Sequence, residues 1–160
     1  MDEMHYGFRL GTWTSSLSEY WSEERARKAH ATGEQYEAQF GTKEKPLWYV
    51  LINTEIAVSQ RFDGYGNVWL SATYQRLKDG NLFRKTTSKF EMAPGNHVFI
   101  KTTCNIYDSK KQTCIVTTYN HRSKKKVEKL LMFSLEDNII PSPEFGNYDA
   151  LIDENIKMYF

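Results

Sequence analysis

No stretch of the sequence approaches the roughly 18 apolar residues that a membrane-spanning helix needs, so no membrane partner is expected. The opening Met1-Asp2-Glu3-Met4-His5 carries acid where a secretory signal carries a basic flank and an apolar core. The compartment this predicts is the cytoplasm, with a mature secreted form as the alternative. An excess of one charge is also missing. The 21 basic and 20 acidic residues leave a net charge of +1, whereas a dedicated nucleic-acid surface carries a marked basic surplus, so no nucleic-acid partner is expected. The strongest local run, Arg122 followed by Lys124-Lys125-Lys126, falls between two strand-like segments and reads as a solvated hairpin tip.

Cysteine is scarce. Cys104 and Cys114 flank the turn Asp108-Ser109-Lys110, and a three-residue loop there predicts that they face each other. A cross-strand disulfide would be strained, and two thiols without paired histidines make a poor zinc site, so both read as reduced core residues. Among His5, His30, His97 and His121 no two have the i, i+3 or i, i+4 spacing of a helical metal site; His97 and His121, near strand ends, read as surface residues. There is no His-Glu-x-x-His, P-loop, Gly-x-Gly-x-x-Gly or Gly-x-Ser-x-Gly motif, which disfavours metal hydrolysis, nucleotide transfer and nicotinamide chemistry. No metal and no cofactor are expected.

What is present is β-strand rhythm. At 160 residues, with 40% hydrophobic and 26% charged residues, the chain has the length and composition of one globular domain spanning residues 1–160. Aromatics reach 14%, a content that suits strands and ligand pockets alike. Tyr6 to Trp13 reads as a first short element. Ser16 or Ser18 can then cap a helix of about three turns ending near Gly33, acidic at its start and basic at its end. From Leu47 to Phe62 the period is two, with Trp48, Val50, Ile52, Ile56, Val58 and Phe62 on one face and a bend or strand break near Asn53-Thr54-Glu55. Segments Val68–Leu77, Leu82–Met92, His97–Tyr107, Gln112–His121 and Val127–Leu135 are separated by Asp79-Gly80, Pro94-Gly95-Asn96, Asp108-Ser109-Lys110 and Arg122-Ser123-Lys124. Asp79-Gly80 reads as a two-residue hairpin turn. Tyr148 to Tyr159 reads as a short helix or a covering strand. The fold class expected is mainly β: an antiparallel meander closed into a barrel of about eight strands, with one N-terminal helix.

Gly11-Thr12-Trp13 resembles the Gly-x-Trp signature of the calycins, the superfamily of lipocalins and fatty-acid-binding proteins. The helix after Trp13 and the long meander are similar to the fatty-acid-binding-protein order. The resemblance covers only that motif and element order. It implies a ligand-holding barrel with Trp13 closing one end. The paired ligand-binding arginines of that family have no clear match, and the chain is longer than its usual intracellular members.

The hairpin at Asp79-Gly80 suggests where a ligand would lie. A two-residue turn puts Trp69, Ser71, Thr73, Gln75 and Leu77 on one face with Leu82, Arg84, Thr86, Ser88 and Phe90. The opposite face carries Lys85, Lys89 and Glu91 and is expected to meet water. The first face therefore predicts a binding set of Trp69, Thr73, Gln75, Arg84, Thr86 and Phe90 around a small apolar or amphipathic ligand, with Arg84 holding an anionic end. A one-residue slip would invert every assignment. An alternative is a cofactor-independent lyase, isomerase or cyclase acting on a small aromatic or lipid-like substrate, with Tyr74, Tyr107 and Tyr119 as proton carriers and Glu55 or Glu34 as base. A third is an interaction or immunity protein that works from its surface, which a filled interior would favour.

Overall fold

The computed structural model describes residues 1–10, 16–95 and 97–160. Gly11-Thr12-Trp13 lies outside the described residues, as do the end of the first predicted element and Asn96 of one predicted turn. The elements are β1 (Glu3–Phe8), β2 (Glu19–Trp21), α1 (Glu23–Thr32), β3 (Tyr36–Gly41), β4 (Pro46–Ile52), β5 (Ile56–Phe62), β6 (Val68–Arg76), β7 (Leu82–Met92), β8 (Phe99–Asp108), β9 (Thr113–Asn120) and β10 (Lys125–Met132). A 3-10 turn over Leu135–Asn138 and the two-residue β11 (Ile139–Ile140) follow.

All pairings are antiparallel, and the order is β10-β9-β8-β7-β6-β5-β4-β3-β1-β2, with β11 added to β7. The meander is therefore as expected, but the sheet is not closed into a barrel. Its two ends explain why. β2 has only three residues before Ser22 starts the helix, too short a ladder for an eight-residue partner. β10 presents Lys125, Lys126 and Lys129 and is exposed along nearly its whole length, which suits an unpaired edge.

The chain covers one face of the sheet instead of closing it. Ala26 and Ala29 of α1 are essentially inaccessible and pack with Tyr6, Tyr36, Trp48, Val50, Tyr74 and Leu82, together with Tyr148 and Leu151 from the C-terminal segment. Further along the sheet, Phe83, Tyr107, Cys114 and Val116 pack under Phe133, with Leu135, Ile139 and Tyr159 against them. After β11 the C-terminal segment runs from position 141 to 160 in turns and irregular chain, so Tyr148 to Tyr159 is neither a helix nor a strand. α1 starts at Ser22, whose side chain accepts from the Arg25 amide, and not at Ser16 or Ser18; Gly33 ends it in the left-handed region. Tyr20 and Trp21 favour the strand that pairs with β1. Leu47 to Phe62 breaks into β4 and β5, where the Asn53 side chain accepts from the Glu55 and Ile56 amides. That turn places Trp48, Val50 and Ile52 on the covered face with Ala57 and Ser59, and puts Ile56 and Val58 on the other.

The opposite face is covered only near β4, where Leu17 packs with Tyr49 and Phe62. Glu37 is buried there, beside Tyr49 and Arg9. Burial holds its carboxyl above the ordinary carboxylate range, and the Tyr49 hydroxyl and the Arg9 charge offset part of that rise. A raised value in the folded state favours the protonated acid. Glu37 therefore supports the fold fully below the ordinary carboxylate range, and that support fades as pH rises through the raised value. Glu37→Gln imitates the protonated form. It should raise the Tm at neutral pH by roughly 2–4 °C, the shift that about 1 kcal/mol gives at this length, and flatten the pH dependence in thermal melts.

Candidate functional site

The position of every candidate follows from one hairpin. The turn between β6 and β7 is not a two-residue loop. The Gly80 amide donates to the Leu77 carbonyl at 3.0 Å, the Leu77 amide donates to the Asn81 carbonyl at 2.8 Å, and Gly80 has φ of 89°. A type I turn followed by a left-handed glycine adds one residue to the loop. The pairing near the turn is therefore Arg76 with Leu82, Gln75 with Phe83 and Tyr74 with Arg84. A bulge at Lys85 then restores the expected register, so that Thr73 pairs with Thr86 and Ala72 with Thr87.

The bulge splits the predicted binding set. Trp69, Thr73, Gln75, Thr86 and Phe90 lie on the open face, whereas Arg84 turns to the covered face. The face expected to meet water is the covered one: Leu70, Ala72 and Tyr74 are buried. The expected inward side was read as a unit because alternation cannot show an extra residue. Thr73 and Thr86 join hydroxyls at 2.6 Å. Phe90 lines a separate hollow of about 250 Å³ with Val68, Met92, His97 and Phe99. There His97 is hydrogen-bonded to Asn67, which donates to Asp63. His121 stacks on Phe99 and bonds Thr102 instead of meeting His97.

Arg84 is only 5% exposed. Its Nη2 donates to Asn138 Oδ1 at 3.0 Å and to the main-chain carbonyl of Lys157 at 3.1 Å. The Tyr107 ring lies 5.5 Å from the guanidinium carbon. No carboxylate among the described residues pairs with Arg84, and its Nε has no hydrogen-bond partner among them. The surroundings on the covered face are unusually polar for a core: Ser59, Thr87, Thr103 and Asn105 are all buried. Tyr107 donates to Asn105 Oδ1 at 3.1 Å, while Asn105 holds both the amide and the carbonyl of Tyr159.

The catalytic candidates divide in the same way. Tyr74 and Tyr107 flank Arg84. Burial pushes both phenols up to about 12, with Arg84 pulling back against it in each case. Both hydroxyls therefore stay protonated at neutral pH; Tyr107 donates to Asn105, and the Tyr74 oxygen accepts from Arg84. Tyr119 lies near the far end of β9 on the open face, packed edge-on to His121. Glu55 is exposed in the β4–β5 turn, at the end of the strands that carries the β6–β7 tip, and Glu34 is exposed after α1. Glu55 and Tyr74 line one hollow of about 550 Å³ with Thr73 and Gln75, whereas Tyr107, Tyr119 and Glu34 lie outside it.

Cys104 and Cys114 are free thiols. Their predicted opposition fails because the loop holds four residues, Ser109 to Gln112, and Asp108 pairs with Thr113. Cys114 consequently pairs with Tyr107 on the covered face and Cys104 with Thr117 on the other. Burial pushes the Cys114 thiol up to about 11, so it is inert. No helix is long and apolar enough to cross a membrane among the described residues. Comparison with known protein families, with curated proteins and with solved structures finds no match to this chain.

Proposed function

We propose that the chain binds a small amphipathic anion, a carboxylate on an apolar body, at Arg84 on the covered face of the sheet. The observation that supports this reading is a buried arginine with no carboxylate partner. Burying an unneutralised guanidinium is costly, and folded proteins retain such a group where a charge is to be met. In the resting chain a main-chain carbonyl, that of Lys157, stands where an oxygen of the anion would lie. Tyr74 and Tyr107 add hydroxyl donors, and Phe83, Phe133 and Tyr107 supply an aromatic wall for the ligand body.

The interior is filled, but by the chain's own irregular end. Besides the Asn105 bonds to Tyr159, the contacts that hold the end are replaceable: Lys157 to Asp137 at 2.7 Å, Arg61 to Glu154, and Lys129 to the Phe160 carbonyl at 2.9 Å. Exposed contacts of this kind hold loosely, because water and salt screen them. The ligand and residues 156–160 thus compete for one position.

Titration with decanoate tests this. The pair of changes Asp137→Asn and Glu154→Gln loosens the end and should tighten decanoate binding roughly fivefold. Arg84→Lys keeps the charge but loses the fork, and should weaken binding at least tenfold. The reading fails if decanol binds as well as decanoate, or if loosening the end leaves the affinity unchanged.

A further inference from the structure

The open face carries a second arrangement, independent of Arg84. The strand register lines up Val58, Thr73, Thr86, Ile106, Ile115 and Leu130 as one row crossing six strands, from β5 to β10. At strand spacings of about 4.8 Å the row is about 24 Å long. Ile106, Ile115 and Leu130 are 47%, 43% and 68% exposed, and in the middle the hydroxyls of the two threonines bond each other. Isolated exposed apolar residues are ordinary, but a row of this length in exact cross-strand register is not.

One side of the row carries unpaired basic charge. The hairpin tips of β6–β7 and β8–β9 lie at the same end of the sheet and bring Lys78, Lys110 and Lys111 alongside it, while the bulge pushes Lys85 out beside Thr86. None of these four lysines forms an ion pair among the described residues. Three acids lie among them: Asp108 gives its side chain to the Lys110 and Lys111 amides, Asp79 gives its own to Asn81, and Glu55 shares a hollow with Lys78 and Lys85. A trough of about 840 Å³ with Ile106, Ile115 and Leu130 in its lining runs between these groups. The bias extends beyond the trough: positions 78–132 hold twelve basic and four acidic residues, although the whole chain is nearly neutral.

We infer that this row docks an amphipathic helix of a partner protein, its apolar face on Val58–Leu130 and an acidic flank toward the lysine-bearing tips. A helix of about 16 residues spans the length of the row. A helix laid across the strands meets one side chain from each, which matches its i, i+3, i+4 stripe. Unpaired basic charge on one side of the row, against the self-neutralised Lys126–Glu128 pair on the other, fixes which way the helix lies about its axis. An extended peptide added to the β10 edge fits less well, because Lys125, Lys126 and Lys129 line that edge.

The probe is a fluorescein-labelled synthetic helix with leucine along one face and glutamate on one flank, followed by fluorescence anisotropy against the full chain. Binding is expected, weakening as salt rises. Ile115→Asp should weaken it at least tenfold, and so should Lys85→Glu combined with Lys111→Glu, with circular dichroism confirming that both variants are folded. Backbone amide shifts confined to β5–β10 should accompany binding of the unaltered chain, a readout that survives if a variant misfolds. The inference is overturned if a helix with lysine in place of glutamate binds equally well, or if both variants bind unchanged. Binding to phosphatidylserine vesicles but not to the acidic helix would overturn it too.

Discussion

Leu82→Ala is expected to lower the free energy of unfolding by about 2–5 kcal/mol, the range found when a fully buried leucine is cut back in a core that cannot collapse around the gap. Leu82 has no accessible surface and packs in the cluster that joins α1, the sheet and the C-terminal segment. Its backbone is committed on both sides, to Arg76 of β6 and to Ile140 of β11, so β7 cannot shift to fill the space. Urea unfolding at constant m-value is the measurement. A loss under about 1 kcal/mol would mean that the covered face is soft, and that the C-terminal segment adds little to the core.

Asn105→Ala should have the second largest effect, and a different character. The Asn105 amide accepts from the Tyr159 amide at 2.7 Å, donates to the Tyr159 carbonyl at 3.0 Å and accepts from Tyr107 at 3.1 Å. Removing it strips three partners at once from a site with no access to water, where each buried group left unmade costs about 1–3 kcal/mol. The last residues have an alternative that Leu82 lacks, since they can lift into solvent. Global stability should therefore fall by about 2 kcal/mol, while protection of the Tyr159 amide against hydrogen exchange falls further, to the level of an unstructured end. If Tyr159 stays as protected as the strand interior, the end is a fixed part of the core and competition with a ligand at Arg84 is ruled out.

The strands were legible because their punctuation is chemical. Asp63, Asn53, Asp108 and Asn120 each cap a turn with their own side chains, and such turns leave the alternation on either side intact. The covering of the sheet was not legible. Residues 133–160 have no period, because they pack one side chain at a time, Phe145 on Tyr6 and Tyr148 on Trp48, and not along a regular face. Closure was inferred from strand length, yet closure depends on whether the outermost strands match, and β2 is cut short by a helix cap at Ser22 that competes with Ser16 and Ser18 on equal chemical terms. The binding set was half legible. Residue types on the β6–β7 hairpin marked it as unusual, and Arg84 was singled out, but Asp79-Gly80 supports both a two-residue turn and a longer one ending in a left-handed glycine. The choice between them decides which residue Arg84 faces.

The extra residue at Lys85 carries a consequence for how this protein can change. It puts Arg84 and Thr86 on opposite sides of one layer although they are two positions apart, so the registers of both surfaces meet at one residue. Deleting Lys85 would close the bulge, keep Arg84 opposite Tyr74 and Thr86 opposite Thr73, and leave the helix-facing row without its nearest charge. Either surface can then be tuned by substitution alone.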